Sequence, residues 1–227
     1  MTSQEFFAEL DARIAKYDLL CHPFYKAWSA GELRREDLRK YGQNYFHHVN
    51  AFPEYLREFA ARLPEGNTRR AVLANYEDEM GSHGSRPHSE LWLDFVEGMG
   101  GERAGSMNPI AEIDELMQRF HSTASKGEPE EALAMFYAYE SQVPRVAAEK
   151  ARGLQAMYGA DVKTCEYFTL HVTADVYHSR VWKQQLTNCV AGNSAAAQRA
   201  LHAGESASKA LWNALDGIEA QRLQRVA

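Results

Sequence analysis

Very little in this sequence interrupts a helix or ties one segment covalently to another. Three cysteines, Cys21, Cys165 and Cys189, lie far apart along the chain. So small, odd and scattered a set gives no disulfide framework and fits reduced thiols in a cytoplasmic protein. No apolar run approaches the roughly 18 residues that span a bilayer. The first segment, MTSQEFFAELDARIAKYDLL, mixes charge with apolar residues and does not read as a signal peptide. Basic residues are outnumbered, 25 Lys and Arg against 31 Asp and Glu, for a net charge of −6. That balance gives no electrostatic footprint for nucleic acid, and no basic amphipathic face marks a membrane surface. Hairpin dipeptides between alternating strands, internal repeats and low-complexity linkers are also missing.

What is there is helical periodicity. Phe6, Leu10, Ile14 and Tyr17 recur at three-to-four spacing. The pattern predicts helices over Leu33 to Arg62, bent or broken near Pro53, and over Thr68 to Met80. After the break GSHGSRP (81–87) it predicts helices over His88 to Met99 and Ile110 to Ser125. Further on it predicts one long helix over Glu130 to Tyr158 containing Pro144, then Val162 to Asn188 and Ser194 to Val226. The expected fold is a single all-α domain over 1–227, of about seven or eight helices, long enough to line an internal pocket.

Nine histidines are many for 227 residues, and several cluster with acids on faces that should be buried. In FTLHVTADVYHSRVW (168–182), His171, Asp175 and His178 are spaced by four and three. At about 100° per residue they fall in one narrow sector, continuing an apolar stripe. A buried carboxylate costs several kcal/mol unless paired or bound to a cation. The stripe is equally consistent with a metal-binding face and with a hydrogen-bonded His/Asp pair. In YAYESQVP (137–144), Glu140 sits four residues before Pro144, which lacks the N–H that its carbonyl would use. A kink is expected there, and Glu140 reads either as a ligand or as a surface acid. In NYEDEMGSHGSRPHSELW (75–92), Glu77, Asp78 and Glu79 end one helix against its macrodipole, and His88 begins the next. By itself that segment also suits a solvated acidic helix end.

Taken together, Glu79, His88, Glu140, His171, Asp175 and His178 offer three carboxylates and three imidazoles. That is what two borderline metal ions need, with coordination positions left for oxygen or water. Mixed nitrogen and oxygen ligation without thiolate suits iron or manganese better than structural zinc.

At these residues the chain resembles the CADD family within the heme-oxygenase-like di-metal oxidases, which are related to the TenA/PqqC-like superfamily. The matching segments are HPFYKAWSAGEL, YGQNYFHHVNAFPEYL, the acidic helix end leading to HSELW, YAYESQVP and FTLHVTADVYHSRVW, in that order along nearly the whole chain. The resemblance implies a heme-oxygenase-like bundle of seven helices that binds no haem. It places the family's metal ligands on Glu79, His88, Glu140, His171, Asp175 and His178, with iron and/or manganese (Fe/Fe or Fe/Mn) as the metals. The loop GSHGSRP carries a short insertion relative to the family, which leaves Glu77 as an alternative to Glu79 and gives His83 no assigned role.

The family is implicated in making para-aminobenzoate for folate in place of the chorismate-derived route, consuming its own side chains. By motif position, Tyr25 of HPFY is the expected source of the ring and Lys150 of AAEKARGL the expected amino donor. Tyr41 and Tyr139 are candidate site or radical-relay residues. Molecular oxygen and an external reductant are the implied co-substrates, and this fold class is one in which a homodimer is expected. Spacing argues less clearly for Lys150: it lies about 15 Å along an ideal helix from Glu140 and roughly 80° off its face. Of His47 and His48, adjacent on a helix, at most one faces the pocket. Three other readings stay open at this point: a di-metal oxidase acting on a free small molecule, a metal-free thiamin-degrading or quinone-cofactor-forming relative, and a binding module for a partner helix. The thiamin-degrading version needs a pocket cysteine, and Cys165 lies about 120° off the face of His171.

Overall fold

In the computed structural model the described residues are 1–103 and 108–224, with the side chain of His83 outside the description. Among them there are ten α-helices and no strands: α1 (Ser3–Ala15), α2 (Pro23–Ala30), α3 (Arg35–Arg62), α4 (Asn67–Glu79), α5 (His88–Gly98), α6 (Ala111–Lys126), α7 (Pro129–Glu140), α8 (Val143–Met157), α9 (Val162–Val190) and α10 (Ser194–Leu223). No helix among them is long and apolar enough to cross a membrane. The last residues of the helix expected to end at Val226 lie outside the described residues.

The centre of the bundle is α7. Every side chain from Ala132 to Glu140 is buried, so this helix has no polar face to give to water. It packs between α9 and α10, while α9 also packs on α5 and α8, and α3 on α4, α5 and α6. The buried apolar side chains form one contiguous cluster running through all of these contacts.

Two elements differ from the sequence expectation, each for a local reason. The short helix α2 was not expected, although its signals are in HPFYKAWSAG. The His22 side chain accepts from the Phe24 N–H at 3.1 Å, Pro23 supplies the first residue, and Gly31 closes the helix at φ 73°. The long helix expected over Glu130–Tyr158 is two helices. It ends at Glu140, and α8 restarts at Val143 with Pro144 in its first turn, where a missing N–H costs nothing. Gln142 closes the gap: its amide donates to the Ala138 carbonyl at 3.1 Å and accepts from the Leu19 N–H at 3.1 Å. By contrast α3 remains α-helical through Pro53, which is buried in the bundle.

Close approach of α5 to α9 rests on Gly98. A Cβ there would collide with the Thr164 side chain, so glycine lets these two helices meet and brings the start of α5 opposite the middle of α9.

Candidate metal centre and its tyrosine pocket

The polar residues of α9 occupy the positions that an apolar stripe would. Cys165, Phe168, His171, Asp175, His178, Trp182 and Gln185 are all buried and follow three-to-four spacing. Facing them are Glu140 at the end of α7, Glu79 at the end of α4 and His88 at the start of α5. The turn between α4 and α5 holds the last two together. Gly81 adopts φ 76°, and a Cβ there would lie 2.5 Å from the Pro87 nitrogen, so only glycine allows so tight a return. Arg86 anchors the same turn through the buried Asp94 at 2.6 Å. Burial alone would raise the Asp94 carboxyl, but Arg86, Arg103 and Lys163 outweigh it and hold it at about 2.

All six residues expected as ligands come together, as two buried triads: Glu79, His88 and His171, and Glu140, Asp175 and His178. Within each triad the candidate ligand atoms lie within 4.8 Å of one another. Glu77 is exposed and lies outside both, whereas Glu79 is buried beside His88, its Oε2 3.0 Å from Nδ1. Among the described residues no Lys or Arg forms an ion pair with Glu79, Glu140 or Asp175. Three buried carboxylates with no lysine or arginine, facing three imidazoles, are a donor set that fits two divalent cations.

The metal-free charge state shows how strongly the six groups interact. Burial would raise the Glu79 carboxyl, but His88, His171 and His178 outweigh it and hold it below its usual range. Burial opposes charge on His88 too, and Glu79 overcomes it, so that imidazole is shifted up. His171 is shifted down by burial. Glu140 is pushed up to about 8 by burial. His178 is pushed up to about 10, because Asp175, Glu140 and Asp78 outweigh its own burial. Protons thus occupy the space between acids and imidazoles, as they must where ligands wait for a cation.

His171 and Glu140 also have partners outside the triads. Nδ1 of His171 lies 2.6 Å from the Tyr167 carbonyl, and its ring stacks on that of Tyr167 with centroids 4.0 Å apart. Asn75 donates to Glu140 Oε1 at 3.0 Å and Trp182 to Oε2. These partners hold ring and carboxylate orientations before any ion arrives. Asn75, Trp182 and Tyr167 were not singled out in the sequence. The signal for Tyr167 was available, since it precedes His171 by one helical turn.

A second constellation lies alongside. The Lys150 amine donates to the Tyr41 hydroxyl at 2.6 Å, and the Tyr41 and Tyr25 hydroxyls are 3.0 Å apart. The same amine sits 4.3 Å from the centre of the Tyr25 ring. No carboxylate pairs with it among the described residues, and burial holds its pKa well below the lysine range, toward a neutral amine. Tyr25 and Tyr41 are shifted far up by the same burial and stay protonated. Spacing from Glu140 does not set Lys150 among the acids and imidazoles, and the structure places it instead in the neighbouring cavity, buried.

The two constellations have separate cavities. One of about 10 Å³ is bordered by Glu79, Glu140, His171 and Asp175, and one of about 30 Å³ by Tyr25, Tyr45 and Lys150. Tyr139 and Tyr167 border both and form the partition. Among the described residues no cysteine lines either cavity, and Cys165 is buried on α9 outside both. His48 is fully buried against Tyr139 and Phe120, with neither ring nitrogen hydrogen-bonded, and His47 is half-buried. On the outer side, His88 and Asp78 border an open groove of about 630 Å³.

The sequence profile of the family described as iron-containing redox enzymes matches residues 39–212, which include the whole of both triads. The chain belongs to that family. Among its relatives it is similar to the 4-aminobenzoate synthase of Nitrosomonas europaea, 34% identical over 96% of this chain and 92% of that one. It is likewise similar to the 4-aminobenzoate synthase of Chlamydia muridarum, 34% identical over 95% and 91% of the two chains. Among solved structures, a domain of unknown function with a heme oxygenase-like fold from Shewanella denitrificans superposes with a TM-score of 0.77 at 16% identity, covering 99% of this chain and 94% of that one. The all-α, heme-oxygenase-like architecture and the resemblance read from the sequence motifs therefore stand. This member of the family carries its polar core at the junction of α4, α5, α7 and α9.

Proposed function

We propose that this enzyme forms 4-aminobenzoate from its own side chains in a single turnover, with Tyr25 as the source of the ring and Lys150 as the amino donor. The ligands are Glu79, His88 and His171 for one metal ion, and Glu140, Asp175 and His178 for the other, the metals being iron and/or manganese. When bound, the pair supplies oxidising power drawn from molecular oxygen and an external reductant.

The observation that carries this reading is the contact between Lys150 and Tyr25 in a pocket too small for a second aromatic ring. About 150 Å³ is the size of cavity that holds a benzene ring. The free space here is about 30 Å³ beside Lys150 and about 10 Å³ beside the acids and imidazoles. The aromatic ring within reach of the amine is one the chain itself provides. In the product the amine stands para to the carboxyl carbon, where tyrosine carries its hydroxyl. Tyr41 bridges the Lys150 amine and the Tyr25 hydroxyl, so it holds the amine toward that end of the ring. A neutral amine has the lone pair that bond formation to carbon requires, and burial favours that form. Tyr139 and Tyr167 stand between the acids and imidazoles and Tyr25, and keep bulk water from passing between the cavities. The support from relatives is the 4-aminobenzoate synthase name carried by both bacterial proteins.

The test is isotopic. Protein labelled with ¹³C in tyrosine and ¹⁵N in lysine is loaded with metal and given reductant and oxygen in unlabelled buffer. Both labels should appear in the 4-aminobenzoate, and mass spectrometry should place the lost mass at Tyr25. Unlabelled product, or several products per chain with Tyr25 intact, would refute the reading.

A further inference from the structure

Asp78 belongs to neither triad, yet it touches one of them. Its Oδ2 lies 3.1 Å from Nε2 of His178, while Nδ1 of the same ring lies 3.3 Å from Oδ1 of Asp175. The His178 ring thus spans two carboxylates that differ in kind. Asp175 is buried and part of the triad; Asp78 has a side chain 56% exposed and stands outside it, at the last turn of α4. A neutral imidazole has one N–H and one lone pair, and the group bonded to the N–H decides which nitrogen is left for a cation.

The other imidazole of α9 is held differently. His171 uses the Tyr167 carbonyl for Nδ1, a backbone acceptor within its own helix. For His178 no backbone carbonyl takes that place, and the partner comes from a helix 100 residues away in sequence. The end of α4 therefore serves both triads. Glu79 supplies a donor to one, and its neighbour, turned about 100° around the helix, stands behind the other. This gives a use to an acid at a helix C-terminus, where the macrodipole disfavours it.

We propose that Asp78 is a positioning residue for the second triad: it accepts the Nε2–H of His178 and so fixes the tautomer that turns Nδ1 toward the metal. The inference rests on the di-metal reading above. It makes metal affinity at one triad depend on an exposed side chain that is not itself a ligand.

The experiment is a titration of metal-free protein with Co²⁺, read by calorimetry and by the visible d–d bands. Wild-type protein should bind two ions. Asp78→Ala should weaken one ion by about 10–100-fold and change its band, leaving the other at wild-type affinity. Asp78→Asn, which keeps an acceptor oxygen, should lose less, and Asp78→Glu should restore binding. Glu77→Ala removes the same charge from the same helix end at an exposed position and should change neither site. Two unchanged sites in Asp78→Ala would overturn the proposal, and so would equal losses in Asp78→Ala and Glu77→Ala. Fewer than two ions in the wild type would instead sink the di-metal reading, and this inference with it. Since the Asp78 side chain is largely exposed, the variants should melt within a few degrees of wild type without metal, which keeps a folding defect separate from a binding one.

Discussion

The amine of Lys150 lies 4.3 Å from the centre of the Tyr25 ring, and its hydrogen bond goes to a phenol rather than to an acid. A buried lysine without a carboxylate is costly, because the charged form is desolvated and nothing compensates it. The fold retains that cost, which is what the proposed role of Lys150 as amino donor would require.

Lys150→Met should therefore stabilise the protein at neutral pH. The folded-state pKa of Lys150 is depressed, so between that value and the ordinary 10.5 the unfolded chain binds more protons, and native stability rises with pH through this window. The gain from methionine should be largest at or below neutral pH and shrink toward pH 10.5. A net gain of about 1–3 kcal/mol, after losing the bond to Tyr41, would raise the melting midpoint by roughly 2–10 °C. A pH-independent difference in thermal melts would refute it.

Tyr41→Phe removes the hydroxyl that joins the Lys150 amine to the Tyr25 phenol. The rate of product formation should fall at least tenfold, about 1.4 kcal/mol of lost positioning, while bound metal stays at the wild-type level. Elemental analysis beside a single-turnover time course separates the two. A wild-type rate would show that the bridge does not orient the amine.

Glu140 should make the metal-free protein less stable as pH rises. Its folded pKa of about 8 lies above its ordinary 4.5, so the stabilising contribution is complete below pH 4.5 and is lost as pH rises through 8. His178, raised to about 10, adds the same sign between 6.5 and 10. In thermal melts from pH 5 to 9, Glu140→Gln should show a shallower decline than wild type by up to about 1.4 kcal/mol per pH unit. Saturating metal should restore stability at high pH, by about 4 kcal/mol at a thousandfold excess over the dissociation constant.

His48→Phe should stabilise the fold. Both ring nitrogens of His48 lack hydrogen-bond partners among Phe52, Phe120 and Tyr139, and an unsatisfied buried polar group costs about 1–3 kcal/mol. Burial holds the imidazole pKa down at about 3, so stability is also lost as pH falls from 6.5 through 3. The advantage of phenylalanine should widen below pH 6.5. A destabilised variant in denaturant melts would show that His48 has a partner in solution.

Periodicity alone set only His171, Asp175 and His178 on an inward stripe, which suited a hydrogen-bonded pair as well as a cation. Glu140 and Glu79 read equally as surface acids, and it was the co-occurrence of the three segments, with the family motifs, that joined the six. The choice between Glu77 and Glu79 was not legible. It depends on the return of the chain at Gly81, a matter of one turn's path. The burial of Lys150 was not legible either: Pro144 signalled a disturbance, the backbone at residues 141–142 stays right-handed helical, and which side chains α8 buries is decided by its packing on α2 and α9. The partnership of Asp78 with His178 could not be read, since it joins residues 100 positions apart and nothing local marks either as the other's neighbour.

The surroundings of Tyr25 carry a consequence for the life of the protein. Its ring packs against Phe24, Trp28 and Tyr41 and is 3% exposed. A chain that surrenders this ring keeps a void where an aromatic stood, and such voids cost about 3–5 kcal/mol, a large share of what a domain has to spare. On the proposed chemistry, a used chain would open more often than a fresh one and meet proteases sooner, and the amount of product would be limited by how fast the protein is synthesised.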